Sequence, residues 1–150
     1  ANSGTRHSAS ILQAVRSYDY SETVYERESE VLSTLDVDQE IFDTIHYGML
    51  GVVYDESSTI TTAFLGLDEQ VAAKTGTAQR GFDEEGNSLM NNAMFICYAP
   101  YDDPEIAIAI SVEKGGAGAT LAPLARQILD YYFSFQSSAN SLEEEMTSLK

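Results

Sequence analysis

Gln70-Val71-Ala72-Ala73-Lys74-Thr75-Gly76-Thr77-Ala78-Gln79 has the composition of a β-strand with a glycine in its interior. Alternation along a strand puts Lys74 and Gly76 on one face and Thr75 and Thr77 on the other. An interior glycine weakens a strand unless something must approach its backbone closely. At an open sheet edge, such a strand can pair with an extended, peptide-like ligand and offer an ammonium and hydroxyls to its carboxylate. Taken as an isolated triplet, Lys74-Thr75-Gly76 equally fits a solvated lysine beside an incidental glycine, so the surrounding sequence has to decide.

Downstream, residues 92–99 and 105–112 read as two further strands separated by Pro100-Tyr101-Asp102-Asp103-Pro104, with a polar hairpin loop over 82–91. Three consecutive strands joined by short turns predict an antiparallel meander. Upstream, Ile41, Phe42, Ile45, Met49, Val52 and Val53 keep helical spacing behind Asp36 and Asp38, either of which can cap the helix start. Residues 54–62, rich in Ser and Thr, read as a loop. After Gly115-Gly116-Ala117-Gly118, the residues Leu121, Leu124, Ala125, Ile128, Leu129 and Tyr132 repeat at helical period, with Pro123 in the first turn. The chain opens as a loop entering a strand, and Tyr18-Asp19-Tyr20-Ser21 turns it back into 23–28 as a surface hairpin. From Ser134 the period lapses, which predicts a polar, disordered tail over 134–150. The expected fold class is α/β of the α+β type, an antiparallel sheet flanked by helices, with no internal repeat and the elements forming one unit.

Composition narrows the function. The 150 residues carry 24 acidic and 8 basic side chains, a net charge of −16 that argues against a nucleic-acid partner, whose phosphates demand basic patches. A hydrophobic fraction of 43% places the chain outside the composition of disordered proteins. No segment approaches the roughly 20 apolar residues that span a bilayer. Cys97 has no second cysteine to pair with and lies in the apolar run Ala93-Met94-Phe95-Ile96-Cys97-Tyr98-Ala99, so it reads as a buried structural thiol. His7 and His46 lack companions at metal-ligand spacing. Neither glycine-rich stretch binds nucleotide phosphates: Ala73 precedes Lys74 where a phosphate loop needs glycine, and Leu121 stands at the third glycine position of a dinucleotide fingerprint.

In this setting the chain resembles the class B, monofunctional penicillin-binding transpeptidases. The Lys74-Thr75-Gly76 triplet is a signature of their superfamily, and other matches follow in order. These are Ala1-Asn2-Ser3-Gly4-Thr5-Arg6, Glu30-Val31-Leu32, Met49-Leu50-Gly51-Val52-Val53, Ala73-Lys74-Thr75-Gly76-Thr77-Ala78-Gln79 and Asp103-Pro104-Glu105-Ile106-Ala107. The turn from Gly115-Gly116 to Ala122-Pro123-Leu124-Ala125 completes the set. Residues 1–133 are thus identified as the C-terminal portion of a transpeptidase domain, a partial penicillin-binding or serine β-lactamase-like fold. The family uses a Ser-x-x-Lys and a Ser-x-Asn motif ahead of Lys-Thr-Gly, and only the third is here in context. Ser111-Val112-Glu113-Lys114 and Ser138-Ala139-Asn140 match the other two by chance. Both follow the triplet, and Ser111 and Lys114 close a strand, where residues three apart face opposite ways.

The resemblance implies that the nucleophile and its lysine lie upstream of Ala1 and that the 150 residues alone are inactive. Lys74 would then set the electrostatics around the substrate, Thr75 would belong to the motif, and Gly76 would keep the cleft open. The Thr77 hydroxyl would meet the carboxylate of substrate or antibiotic, the Thr77 N–H would be an oxyanion donor, and Gln79 would line the same groove. Implied partners are peptidoglycan stem peptides, β-lactams and proteins of cell-wall synthesis, with no metal or organic cofactor. A membrane anchor outside the chain would hold the parent at the extracytoplasmic face, and self-association through an uncovered sheet surface is expected of the isolated chain. Two other readings remain open: a non-catalytic peptidoglycan- or partner-binding relative, and a β-lactam-sensing or β-lactam-hydrolysing one.

Overall fold

A computed structural model describes residues 1–148, with side chains through Gln136. The chain divides into two compact units, Asn2–Asp43 and Thr44–Lys150 together with Ala1, in place of the one unit expected.

The smaller unit is two nested antiparallel ladders. β1 (Thr5–His7) pairs with β4 (Val31–Thr34), and between them in sequence β2 (Ala14–Arg16) pairs with β3 (Thr23–Glu26) as the expected surface hairpin. Each ladder slips register once, between Arg6 and His7 and between Val15 and Arg16. None of residues 2–43 is buried, so this unit lacks a hydrophobic core and rests on hydrogen bonds. The Arg27 guanidinium donates to the Ser8 hydroxyl at 2.6 Å, and the Ser8 N–H donates to the Glu30 carbonyl at 2.8 Å. At the hairpin tip the Asp19 carboxylate accepts from the hydroxyls of Ser17 and Ser21, each at 2.7 Å. These donors favour its charged form and lower its pKa to about 2.

The larger unit carries the meander. β5 (Ala72–Ala78), β6 (Asn92–Ala99) and β7 (Ile106–Val112) form an antiparallel sheet in the order β5-β6-β7. One face of β6 is buried at Ala93, Phe95, Cys97 and Ala99, the first three opposite Thr77, Thr75 and Ala73 of β5. α2 (Ala122–Ser148) contributes Ala122, Ala125 and Leu129 to the same core, and Val53, Ile60 and Phe64 join it from the chain before β5. The rings of Phe64 and Phe95 stack at 6.5 Å. Burying Phe95 or Leu129 completely is worth about 2–3 kcal/mol each. Cys97 is buried here, and desolvation pushes its thiol up to about 12, which keeps it neutral.

α1 (Gln39–Tyr54) forms where the apolar period predicts. Its last carbonyls have no partner within the helix, and the loop rich in Ser and Thr supplies them. The Ser58 hydroxyl donates to the Val52 carbonyl at 2.7 Å and the Thr61 hydroxyl to the Val53 carbonyl at 2.6 Å. A single 3₁₀ turn, Thr61–Ala63, breaks the loop, and Arg126 of α2 pins it by donating to the Leu65 carbonyl at 2.7 Å. A second 3₁₀ turn, Gly118–Leu121, leads into α2. Helix also continues through Ser134, Phe135 and Gln136, where the sequence predicts the tail to begin. The side chains of the remainder of that tail lie outside the described residues.

Candidate functional site

β5 is an outer strand of its sheet: β6 covers one edge, and no strand pairs with the other among the described residues. Val71, Ala72 and Ala73 are fully buried and anchor its start, and exposure begins at Lys74. The alternation expected from the sequence holds. Lys74 and Gly76 stand opposite Ile96 and Met94, which are 48% and 45% exposed, whereas Thr75 and Thr77 stand opposite the buried Phe95 and Ala93.

The Lys74 ammonium is exposed and donates to the Thr75 carbonyl at 2.7 Å. Its charge is therefore available on the solvent side of the strand. Thr75 is half-buried and lines a cavity of about 300 Å³ together with Gly48, Gly51, Asp55 and Ser58. Gly76 meets Met94 closely: an added Cβ would sit 3.2 Å from the Met94 Cβ. The glycine's cause is thus partly internal, since it lets β5 lie tight against β6 as well as leaving backbone uncovered. Thr77 is exposed, and its Oγ1 accepts a hydrogen bond from the Gly118 N–H at 3.4 Å. Gln79 follows the end of β5 and is exposed. Lys74 and Gly76 on one face of β5 and Thr75 and Thr77 on the other thus flank the same unpaired strand edge.

The remaining candidates lie elsewhere. Ser111 is exposed on β7, in the row Gly76, Met94, Ser111. Two strand spacings put it about 10 Å from Gly76. Lys114 sits in the turn after β7 with φ 55°, its N–H donating to the Asn92 side chain at 3.0 Å. The side chain of Ser138 lies outside the described residues. His7 is hydrogen-bonded to the Ser29 hydroxyl at 2.7 Å, and His46 meets the Tyr98 ring edge-on at 5.5 Å. Among the described residues no three His, Cys, Asp or Glu side chains gather as a metal site, and no helix is long and apolar enough to cross a membrane.

Sequence reasoning takes Gly116-Ala117-Gly118 for a plain turn into a helix, and so misses Gly118. The residue is buried against β5 and β6, and an added Cβ would overlap the carbonyl oxygens of Met94 and Gly76. The available signal was a second small residue just ahead of a helix that packs on the sheet.

Residues 1–130 match the family described as penicillin binding protein transpeptidase domain. The peptidoglycan D,D-transpeptidase MrdA of Haemophilus influenzae is 36% identical over 97 residues, which cover 58% of this chain and 15% of that protein. The chain thus spans about one seventh of the length of this curated relative. Among solved structures, penicillin-binding protein 2B of Streptococcus pneumoniae superposes with TM-score 0.75 at 21% identity, over 89% of this chain and 23% of its own. Penicillin-binding protein A of Mycobacterium tuberculosis, in an imipenem acyl-enzyme complex, superposes with TM-score 0.68 at 23% identity, over 88% and 28%.

Proposed function

The chain belongs to the penicillin-binding protein transpeptidase domain family, and on that premise we propose that it supplies the substrate-binding edge of a longer peptidoglycan D,D-transpeptidase. The observation that carries this reading is the unpaired β5 edge, flanked by Lys74 and Gly76 on one face and by Thr75 and Thr77 on the other. Such an edge suits an extended stem peptide ending in a carboxylate. The protein carries a strong net negative charge, so a local ammonium and hydroxyl donors matter for holding an anion there.

In the proposed reaction a serine outside these 150 residues attacks the carbonyl of a D-Ala-D-Ala bond, and its proton passes to a neighbouring base. The tetrahedral oxyanion is held by the Thr77 N–H and a second donor from the serine's own segment, because preorganised donors act on charge that develops in the transition state. D-Alanine leaves with a proton, and an amine of a neighbouring stem peptide then attacks the ester carbonyl, forming the amide as the serine C–O bond breaks and the amine's proton returns to the serine oxygen. Lys74 favours the anionic substrate and its positioning, the Thr77 hydroxyl donates to the terminal carboxylate, and Thr75, Gly76 and Gln79 shape the groove. β-Lactams would trap the acylation step, as imipenem does in the mycobacterial relative. The longer protein would act at the extracytoplasmic face of the membrane, on stem peptides and beside other cell-wall proteins, while the isolated chain stays inactive and self-associates.

In the longer protein, Lys74→Met and Thr77→Val are each expected to slow acylation by fluorescent penicillin at least about tenfold, with folding intact. Wild-type labelling rates in both variants would exclude the β5 edge as the binding surface.

A further inference from the structure

We infer that Gly118 is a positioning residue for the reaction: it aims the Thr77 hydroxyl and the Gly76–Thr77 peptide at the open edge of β5. The inference rests on the role proposed above for Thr77.

The two residues lie 41 positions apart and are brought together by the turn between β7 and α2. A threonine hydroxyl has one proton to give and two lone pairs. The Gly118 N–H donates into one lone pair of Thr77 Oγ1 at 3.4 Å. That bond is long and adds little stability, but it sets rotation about the side chain. With a lone pair taken from the buried side, the Oγ1–H is left to donate towards solvent, where an anionic carboxylate requires a donor. Rotated the other way, the hydroxyl would present lone pairs to the anion and repel it.

An added Cβ on Gly118 would overlap the Gly76 and Met94 carbonyl oxygens and lie 2.7 Å from the Gly76 N. Backbone cannot swing away as a flexible side chain does. The Gly76 carbonyl and the Thr77 N–H belong to one planar peptide unit, so whatever presses on that carbonyl also turns that N–H. The bare Cα of Gly118 therefore sets the plane of the peptide that carries the proposed oxyanion donor. Placing this support under an exposed strand edge supplies the rigidity that preorganised donors need.

The test uses the longer transpeptidase that contains this chain, with fluorescent penicillin as the probe. Gly118→Ala is expected to lower the limiting acylation rate constant at least about tenfold, measured well below its melting temperature. Thr120→Ala removes a turn hydrogen bond two residues away, from the Thr120 hydroxyl to the Ala117 carbonyl. It is expected to lower the melting temperature while leaving acylation within about twofold. If Gly118→Ala does not fold, amide exchange decides. Thr77→Val should speed exchange of the Gly118 amide severalfold, and Thr77→Ser should not. Near-wild-type acylation in Gly118→Ala, or Gly118 exchange indifferent to Thr77→Val, overturns the inference. If the unaltered protein takes no label, the transpeptidase reading fails instead, and the exchange result still shows whether Gly118 holds Thr77.

Discussion

The Tyr54 hydroxyl accepts the Val71 N–H at 3.1 Å, joining the last residue of α1 to the residue that precedes β5. The intervening loop therefore delivers β5 from a fixed point. Val71 is fully buried, so its N–H has no access to water once the phenol is removed. Tyr54→Phe is expected to cost about 1–2 kcal/mol and to lower the denaturant midpoint without changing the slope. An unchanged midpoint would show that the bond does not hold the strand.

Arg126 fixes the same loop from the other side. It donates to the Leu65 carbonyl at 2.7 Å and pairs through Nε with Asp130 at 2.7 Å. The carbonyl bonds should dominate, because an (i, i+4) ion pair with a half-exposed partner contributes only about 0.3–0.5 kcal/mol. Arg126→Met should therefore destabilise by about 1–2 kcal/mol, whereas Asp130→Asn should barely register. Equal losses in the two variants, measured by urea unfolding, would reverse this ranking.

Cys97 predicts an alkaline limit. Its thiol titrates at about 12 when folded, against 9.0 for the unperturbed group. Above pH 9 the unfolded chain releases this proton and the folded chain retains it, so stability is complete below 9 and falls as pH rises towards 12. Cys97→Ala should flatten that slope, and the native thiol should resist iodoacetamide at pH 8. Rapid alkylation of the folded protein would contradict the burial.

Asp19 predicts an acid limit confined to the hairpin. Its carboxyl titrates at about 2, below the ordinary 3.8, because the Ser17 and Ser21 side chains donate to it. A depressed pKa contributes order above pH 3.8 and loses it as pH falls towards 2. Carboxyl NMR should give a midpoint near 2 that rises in Ser17→Ala. An ordinary midpoint in the unaltered protein would count against the turn geometry.

Local signals wrote much of this fold into the sequence. β5, β6 and β7 alternate and follow one another along the chain, and α1 and α2 keep helical period over several turns, so each could be read without knowing its partner. The β2–β3 hairpin was legible for the same reason. The β1–β4 ladder was not: its strands are three and four residues long and are separated in sequence by the hairpin. Nothing periodic marks them, and their pairing also sets apart Asn2–Asp43 as a unit without buried residues. In the candidate site, the triplet was legible through its resemblance to a family, and its alternation through strand geometry. Gly118 was hidden because its need for a bare Cα comes from Gly76 and Met94, which approach it only in the folded chain. Tyr54 and Arg126 were hidden likewise, since their partners are backbone atoms of distant residues.

The most direct measurement is labelling with fluorescent penicillin followed by peptide mapping, performed on the longer protein and on these 150 residues separately. The expected result is a single labelled serine outside the 150 residues in the longer protein and no label on the isolated chain. Label on Ser111 of the isolated chain, or an unlabelled longer protein, would contradict the assignment of β5 as the binding edge of a serine transpeptidase.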